Sequence, residues 1–353
     1  MNPAARTVAH PTCDIGLVLA EAAGTDCGGP TVRVPRTVAA LRALGLDAAL
    51  VHDDVPQRLA HIVNIWPFAD AYAALRRMKR RGLPVVFSPV LLLPGSGVRE
   101  AVEGAAIPGI PDYETVLVRR LLGLADLVIA LSTAEAACCE HLAGRPLPLA
   151  LVPNPVEAPV FASADPAPFL RYAAARWSMD LGRGFVLAVG RIEPRKNQLR
   201  LISALAGGLP LVLLGHEADA DYAAACRATA GAEVIFAGRL PPGSALLASA
   251  YAACRIFAHV ATAEGAPLVA LEAGAAGAPL MLSDHPAHRE FLGPFARLVP
   301  ALDVGAMRAT LHDLWDHPPP AGQRRLQAIH VATAHGYLEH AATLARLYST
   351  VMR

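Results

Sequence analysis

The sequence predicts an α/β protein built from two doubly wound, Rossmann-like domains that face each other across a cleft. Short apolar runs alternate with alanine- and leucine-rich stretches of helical length, a pattern typical of parallel sheets with crossover helices. This alternation occurs twice, and a proline-rich stretch separates the two series. The 353 residues are also enough for two domains of roughly 150 residues each. Ligands of such domains bind beyond the carboxyl ends of the strands, so the cleft is the expected site.

The first series predicts an N-terminal domain over residues 1–158. Its clearest helix carries one apolar stripe at helical spacing, formed by Val34, Val38, Leu41 and Leu44. The predicted strands are 14–20, 47–51, 61–65, 84–88, 126–131 and 148–152. The predicted helices are 31–44, 68–81, 114–123 and 133–143.

The second series predicts a C-terminal domain over residues 159–334. Five prolines in the sixteen positions 153–168 predict a linker without a regular helix or central strand. The predicted strands are 185–189, 210–214, 233–236, 255–259, 279–283 and 296–299, and the predicted helices are 195–205, 219–230, 243–253 and 267–277. Helical stretches follow at 303–315, 321–333 and 335–353, and the last is expected to cross back to the first domain.

The composition excludes several classes of protein. The formal charge is only +1, from 31 Lys and Arg against 30 Asp and Glu, so no global field recruits nucleic acid. The mean hydropathy of +0.37 is high, yet the apolar runs fall far short of the ~18 residues that span a membrane. The six cysteines show no metal-ligand spacing, and the adjacent Cys138 and Cys139 are a poor disulfide pair, which predicts a reduced, cytoplasmic protein. Neither domain's first strand precedes Gly-x-Gly-x-x-Gly, which argues against a dinucleotide-dependent dehydrogenase.

One segment with cationic side chains directly follows the predicted strand 185–189. Gly190 permits a tight turn there, and Pro194 is placed as a first helical residue. Arg191 and Lys196 are therefore expected to project into the cleft. A fixed guanidinium and an ammonium suit a diphosphate, whose oxygens gain charge as it departs. The alternative interpretation is an ordinary solvated helix start.

A second segment places Glu264 and Glu272 eight positions apart, one before a helix and one in its second turn. Side chains lean toward the helix N-terminus, so Glu272 can reach a ligand docked there. One glutamate could bind sugar hydroxyls and the other a ribose diol. The alternative is that Glu264 complements the helix dipole and Glu272 is a surface charge, although the apolar neighbours of Glu272 argue against the latter. The stretch expected to meet a phosphate is Gly265, Ala266, Pro267, Leu268 and Val269, in which every residue but the proline offers a backbone N–H.

Together the two segments resemble the donor-binding domain of retaining glycosyltransferases of the GT-B fold, glycosyltransferase family 4. The resemblance covers nearly the whole chain. It includes the glycine pair Gly28-Gly29, the strand end Leu131 to Glu135, the hinge Val152 to Val156 and the C-terminal helix around Tyr348.

The resemblance implies a role for each candidate. Arg191 and Lys196 would hold the donor diphosphate, Glu264 the donor sugar and Glu272 the ribose, while Gly28 and Gly29 would let the acceptor-domain backbone approach the phosphates. The implied activity is metal-independent, retaining transfer from a UDP- or GDP-linked sugar, with no further cofactor. The acceptor would be a glycan or a lipid-linked molecule, in polysaccharide or glycoconjugate synthesis. A catalytically inactive glycan- or nucleotide-binding module and a nucleotide-sugar epimerase of the same fold are the alternatives.

The chain departs from this family at one position. Many relatives carry a histidine at the end of the strand that follows the basic helix, where this chain has Ser88 and then Pro89. Ser88, His61 or His52 could take that role, or the role is absent.

Three further features have weaker functional interpretations. The pair Asp219 and Asp221 resembles a metal-binding Asp-x-Asp, but it stands where a helix should begin, so no metal site is expected. His216 lies at a strand end that faces the cleft. The basic residues Arg76, Arg77, Lys79, Arg80 and Arg81 close a predicted helix. Dipole complementarity explains the run most simply, and the alternative is a patch for anionic lipid at the inner face of a membrane.

Overall fold

The computed structural model describes residues 13–19, 29–51, 58–95, 112–177, 181–205 and 208–353. Two six-stranded parallel sheets dominate these residues, one in each half of the chain. Gly28 and His52, which the sequence made candidates, lie outside the described residues.

The first half contains the six predicted strands and one short extra strand. The strands are β1 Ile15–Leu19, β2 Ala48–Leu50, β3 Leu59–Val63, β4 Val85–Ser88, β5 Leu93–Pro94, β6 Leu127–Ala130 and β7 Leu149–Leu151. The helices are α1 Gly29–Ala43, α2 Phe68–Arg80, α3 Asp112–Leu124 and α4 Thr133–Ala143. The sheet order is β2-β1-β3-β4-β6-β7. Every residue of β3 is buried, because helices cover both faces of the sheet.

The prediction that the stretch 153–168 holds no regular helix is wrong. Helix α5 occupies Ala158–Ala162, and α6, Ala167–Trp177, begins inside the stretch. Pro159 and Pro168 each stand second in their helix, where a backbone N–H has no intrahelical partner to lose.

The second half repeats the arrangement of the first. Its strands are β8 Val186–Val189, β9 Leu211–Leu214, β10 Val234–Gly238, β11 Ile256–His259, β12 Ala263–Glu264, β13 Leu280–Ser283 and β14 Ala296–Val299. Its helices are α7 Gln198–Leu205, α8 Ala220–Thr229, α9 Ala245–Ala253, α10 Leu268–Ala275, α11 Pro286–Leu292, α12 Val304–Asp316, α13 Ala321–Ala334 and α14 Tyr337–Val351. The sheet order is β10-β9-β8-β11-β13-β14. The continuous helix predicted over 195–205 is wrong, because Asn197 (φ 63°) separates a 3-10 turn, Pro194–Lys196, from α7.

The last helix, α14, packs on the first half of the chain. Its Leu344 and Tyr348 share a hydrophobic core with Val34, Val38 and Leu41 of α1. The chain thus crosses back after the second sheet and ties the two halves together. Among the described residues, no helix is long and apolar enough to cross a membrane.

A two-stranded antiparallel sheet joins the halves directly. In it β12 pairs with β5, with Glu264 opposite Leu93 and Ala263 opposite Pro94. A β-carbon at Gly265 would lie 2.9 Å from the carbonyl oxygen of Leu91, so only glycine allows this close approach. The pairing fixes Glu264 at the boundary between the two halves.

Candidate active-site cleft

A cleft of about 550 Å³ lies between the two halves. The first half contributes Gly29, Pro30, Arg33, Asn64, Trp66, Pro67, Val90 and Leu92, and the hinge contributes Asn154. The second half contributes Gly190, Arg191, Arg195, Lys196, Glu264, Gly265, Ala266, Pro267, Leu268 and Val269. Asn64 and Gly190 directly follow β3 and β8, so the cleft lies at the carboxyl ends of strands from both sheets.

A glycine turn after β8 sends the chain into the cleft. Gly190 has φ 149°, in the region that favours glycine. A β-carbon on Gly215 would lie only 1.8 Å from the carbonyl oxygen of Gly190. Arg191 follows, with its side chain 38% exposed and its guanidinium 3.2 Å from Glu193. The turn therefore presents Arg191 to the cleft while Glu193 keeps it in place.

Glu264 is held by three donors on one oxygen. Its Oε1 accepts hydrogen bonds from the ammonium of Lys196, from Arg195 at 3.1 Å and from Nε2 of His259 at 3.2 Å. Burial alone would raise the pKa of Glu264, but the charges of Lys196 and Arg195 outweigh it and hold that pKa well below its usual value. Glu264 is therefore a carboxylate at neutral pH and accepts hydrogen bonds rather than donating a proton.

His259 is the last residue of strand β11 and its side chain contacts the carboxylate of Glu264. Burial lowers the pKa of its imidazole, so the ring is neutral at physiological pH. Because Glu264 only accepts, Nε2 of His259 carries the proton of their hydrogen bond. This histidine fixes the orientation of the carboxylate.

The N-terminus of α10 opens into the cleft. Pro267 precedes the helix and no side chain caps it, so the first backbone N–H groups are left for a ligand. The side-chain amide of Asn154 donates to the carbonyl of Ala266 at 2.7 Å and holds the preceding loop. The whole stretch predicted to meet a phosphate thus lines the cleft.

Glu272 lines a smaller pocket of about 170 Å³ that adjoins the cleft and shares Gly29, Gly190 and Arg191 with it. His216, at the end of β9, lines the same pocket. Glu272 is buried and accepts a hydrogen bond from the hydroxyl of Tyr251 at 2.8 Å. Burial raises the pKa of Glu272 to about 7, against the opposing effect of the Tyr251 hydrogen bond. The interpretation of Glu272 as a surface charge is wrong.

Ser88 and His61 lie in a buried polar cluster separate from the cleft wall. Nε2 of His61 is 2.8 Å from the Ser88 hydroxyl, and Nδ1 is 2.6 Å from the hydroxyl of Tyr348. Burial lowers the pKa of His61 to about 3. The two side chains bond to each other and His61 also bonds to α14, so their positions favour a role in joining α14 to the first sheet.

Several residues that line or support the cleft were not among the sequence candidates, including Arg33, Asn154, Arg195 and His259. Arg195 stands beside Lys196, and His259 ends a predicted buried strand, so a polar residue in that position was an available signal. Arg33 gave no such signal, because a basic residue in the first turn of a helix is commonly exposed.

The remaining candidates have clear surroundings. Asp219 is the N-cap of α8 and accepts from the backbone N–H of Tyr222 at 2.9 Å. Four of the five basic residues at the end of α2 line one surface groove together with Tyr72 and Ala73: Arg76, Arg77, Arg80 and Arg81, the last directly after the helix. Lys79 does not join them, because its ammonium pairs with Asp126 at 2.8 Å.

Comparisons with known proteins identify the family and the fold of this chain. The family described as "Glycosyl transferases group 1" matches residues 174–325. A GDP-mannose-dependent alpha-mannosyltransferase of Mycobacterium tuberculosis (strain CDC 1551 / Oshkosh) is 30% identical over 293 residues, which are 82% of this chain and 68% of that protein. Sucrose-phosphate synthase from Thermosynechococcus elongatus has a similar structure, with a TM-score of 0.76 at 17% identity over 96% of this chain and 99% of that one.

Anabaena HepE in complex with UDP-glucose is also similar, with a TM-score of 0.73 at 16% identity over 95% of this chain and 99% of that one. The two structural likenesses confirm the predicted GT-B fold. The alignment with the mannosyltransferase covers most of both chains. The family match covers the part of this chain that contains Arg191, Lys196, Glu264 and Glu272. This chain therefore belongs to the group 1 glycosyltransferases.

Proposed function

We propose that this glycosyltransferase binds a nucleoside diphosphate sugar with Arg191 and Lys196 on the diphosphate, Glu264 on the sugar and Glu272 on the ribose. One observation carries the proposal. The two cations, Glu264 and the open N-terminus of α10 line a single cleft, and Glu272 lines the pocket that adjoins it. The nucleoside then occupies the smaller pocket and the sugar the larger cleft.

The chemistry that this arrangement supports is electrostatic. As the bond between the sugar and the diphosphate breaks, negative charge develops on the leaving phosphate oxygens. Fixed cations and helix N–H groups that face those oxygens stabilise the transition state more than the ground state. Arg191, Lys196 and α10 provide both kinds of group.

We propose that transfer retains the anomeric configuration. Glu264 is ionised and its Oε1 already accepts from three donors, which supports a role in holding sugar hydroxyls. His61 and Ser88 bond to each other, so neither is offered as a base for the acceptor. The proposed base is the leaving diphosphate, which takes the proton of the acceptor hydroxyl while that hydroxyl oxygen bonds to the anomeric carbon on the face that the diphosphate leaves. Attack from this face gives retention.

The proposed transfer needs no divalent metal. Arg191 and Lys196 offer the positive charge that a metal ion supplies elsewhere. Asp219, the first residue of the Asp-x-Asp pattern, is engaged as a helix cap.

GDP-mannose is the first donor that we propose, because the mannosyltransferase relative is GDP-mannose-dependent by name. A UDP-linked sugar is the second candidate, since HepE was solved with UDP-glucose. The proposed acceptor is a glycan or a lipid-linked molecule in polysaccharide or glycoconjugate synthesis. The arginine groove on α2 supports a peripheral contact of the cytoplasmic protein with an anionic membrane.

The test is a transfer assay on the full chain with GDP-mannose and UDP-glucose against a panel of glycan and lipid-linked acceptors. We expect release of the nucleoside diphosphate that depends on both donor and acceptor. NMR of the fresh product should show the anomeric configuration of the donor. An inverted linkage would refute the retaining mechanism, and nucleotide binding without transfer across the panel would favour the inactive binding module.

A further inference from the structure

Arg33 is a buried cation on the first-half wall of the cleft. It stands one turn after Gly29 on α1, so both residues lie on the same face of the helix. Only 5% of Arg33 is exposed, yet it lines the cleft. Its guanidinium donates to Oδ1 of Asn154. Across the described ranges of the chain, no carboxylate lies within ion-pair distance of it.

An unpaired buried guanidinium is costly. Burial lowers the pKa of Arg33, with partial compensation from the charge of Glu135, but a guanidinium stays protonated. Glu135 is itself buried and accepts from the backbone N–H groups of Leu91 and Leu131, each at 2.6 Å. Placing a charge in the interior without a bonded counter-ion destabilises a fold. An anion in the cleft would offset that cost.

The opposite wall of the cleft carries a net positive charge that would attract such an anion. The second half presents three cations there, Arg191, Arg195 and Lys196, and two carboxylates, Glu193 and Glu264, pair with them. The second half thus offers one positive charge in excess. Each phosphate of a diphosphate diester carries a negative charge, so one further cation would balance the charge of the donor.

The geometry brings Arg33 to the donor loop. The side-chain amide of Asn154 accepts from Arg33 with its oxygen and donates to the carbonyl of Ala266 with its nitrogen. A single amide group therefore separates the guanidinium from the stretch that precedes α10. At the start of α1, a β-carbon on Gly29 would lie 3.7 Å from Leu268, the first residue of α10.

We propose that Arg33 binds the donor diphosphate from the first half of the chain, opposite Arg191 and Lys196. This inference rests on the proposed function and adds a side chain to it. Bound diphosphate is then held by cations from both halves of the chain. The guanidinium fork suits phosphate oxygens, and its existing bond to Asn154 sets its orientation.

The test compares Arg33→Gln with the unaltered full chain by calorimetric titration with GDP and UDP. For whichever nucleotide binds, we expect affinity to fall about tenfold or more, because a charge-assisted hydrogen bond is lost. Affinity for the matching nucleoside, guanosine or uridine, should stay the same. Arg33→Lys should recover part of the loss. Arg42→Gln removes the same charge from an exposed position on the same helix and should change neither affinity.

A thermal melt separates binding from a structural role. Without nucleotide, Arg33→Gln should melt at the same temperature as the unaltered chain or higher, because it removes a buried charge. Unchanged nucleotide affinity, an equal loss for nucleoside and diphosphate, or a higher KM for acceptor alone would overturn the proposal. Lys196→Ala is measured in parallel. If only Lys196→Ala weakens the diphosphate, the proposed donor site stands and Arg33 has no part in it, whereas no loss in either variant overturns the donor site itself.

Discussion

The ammonium of Lys196 and the carboxylate of Glu264, 68 positions apart in the sequence, form an ion pair on the wall of the cleft. The side chain proposed to bind the diphosphate and the side chain proposed to bind the sugar are therefore already in contact in the absence of a donor. A bound donor would share both groups, so the position of the sugar and the charge on the diphosphate are coupled.

Lys196→Ala should lower turnover by about a hundredfold or more, because the lost charge acts mainly on the departing diphosphate. Steady-state kinetics with a saturating donor measures this. Lys79→Ala is the matched control, since Lys79 also pairs with a carboxylate, on α2 away from the cleft, and it should leave turnover unchanged. Near-normal turnover in Lys196→Ala would rule out its phosphate role.

Glu264→Gln and Glu272→Gln should separate transfer from nucleotide binding. Glu264→Gln keeps the shape of the side chain but removes the carboxylate that pairs with Lys196, whereas Arg195 keeps its ion pair with Glu193. Transfer should fall by about a hundredfold while nucleotide affinity changes less. Glu272→Gln should mainly weaken the nucleotide. Calorimetry beside turnover decides, and the opposite pattern would mean that the two roles are exchanged.

Nucleotide affinity should rise with pH as Glu272 ionises. Burial sets its pKa to about 7 in the free protein, and ribose hydroxyls bind a carboxylate as donors. Binding then favours the ionised form and releases a proton, so affinity increases from pH 6 toward pH 7 and levels above it. The phosphate of the nucleotide also titrates, so the relevant quantity is the difference between the unaltered chain and Glu272→Gln. The same pH profile in both would contradict the ribose assignment.

Transfer should continue in excess chelator. In the proposed site Arg191 and Lys196 supply the positive charge that a metal ion would otherwise provide, and Asp219 caps α8. Activity measured with and without EDTA tests this. Complete loss that manganese or magnesium restores would bring the pair Asp219 and Asp221 back as metal ligands.

The arginine groove on α2 should bind anionic vesicles. Arg76 and Arg80 are exposed and line the groove, so the double variant Arg76→Glu and Arg80→Glu should lose most sedimentation with phosphatidylglycerol vesicles at low salt. Arg325→Glu, an exposed arginine on α13, is the control. Equal sedimentation of all three proteins would contradict a membrane contact through this groove.

The sheets could be predicted because their inner strands, such as β3, β4 and β11, are buried on both faces and so appear as short continuous apolar runs. The pairing of β5 with β12 could not, since two-residue strands have no periodicity and their register depends on how the halves meet. The number of prolines in the stretch 153–168 predicts turns and no helix. Two of these prolines stand in the first turn of a helix, where proline is tolerated, so their number alone was misleading.

The candidate site was predicted in part for a similar reason. Arg191, Lys196 and Glu264 follow strand ends, and strand ends of a parallel sheet converge on one edge, so sequence position alone brings them together. Arg33 and His259 depend on burial and on contacts with distant residues. Their partners lie in the hinge and in β12, and only the folded chain brings them into contact.

A crystal structure of the full chain with the donor nucleoside diphosphate tests the central claim most directly. It should show the diphosphate between Arg191 and Lys196, with the ribose hydroxyls on Glu272 and a phosphate oxygen within hydrogen-bond distance of the N-terminus of α10. A nucleotide bound elsewhere, or one whose diphosphate contacts neither Arg191 nor Lys196, would contradict the account.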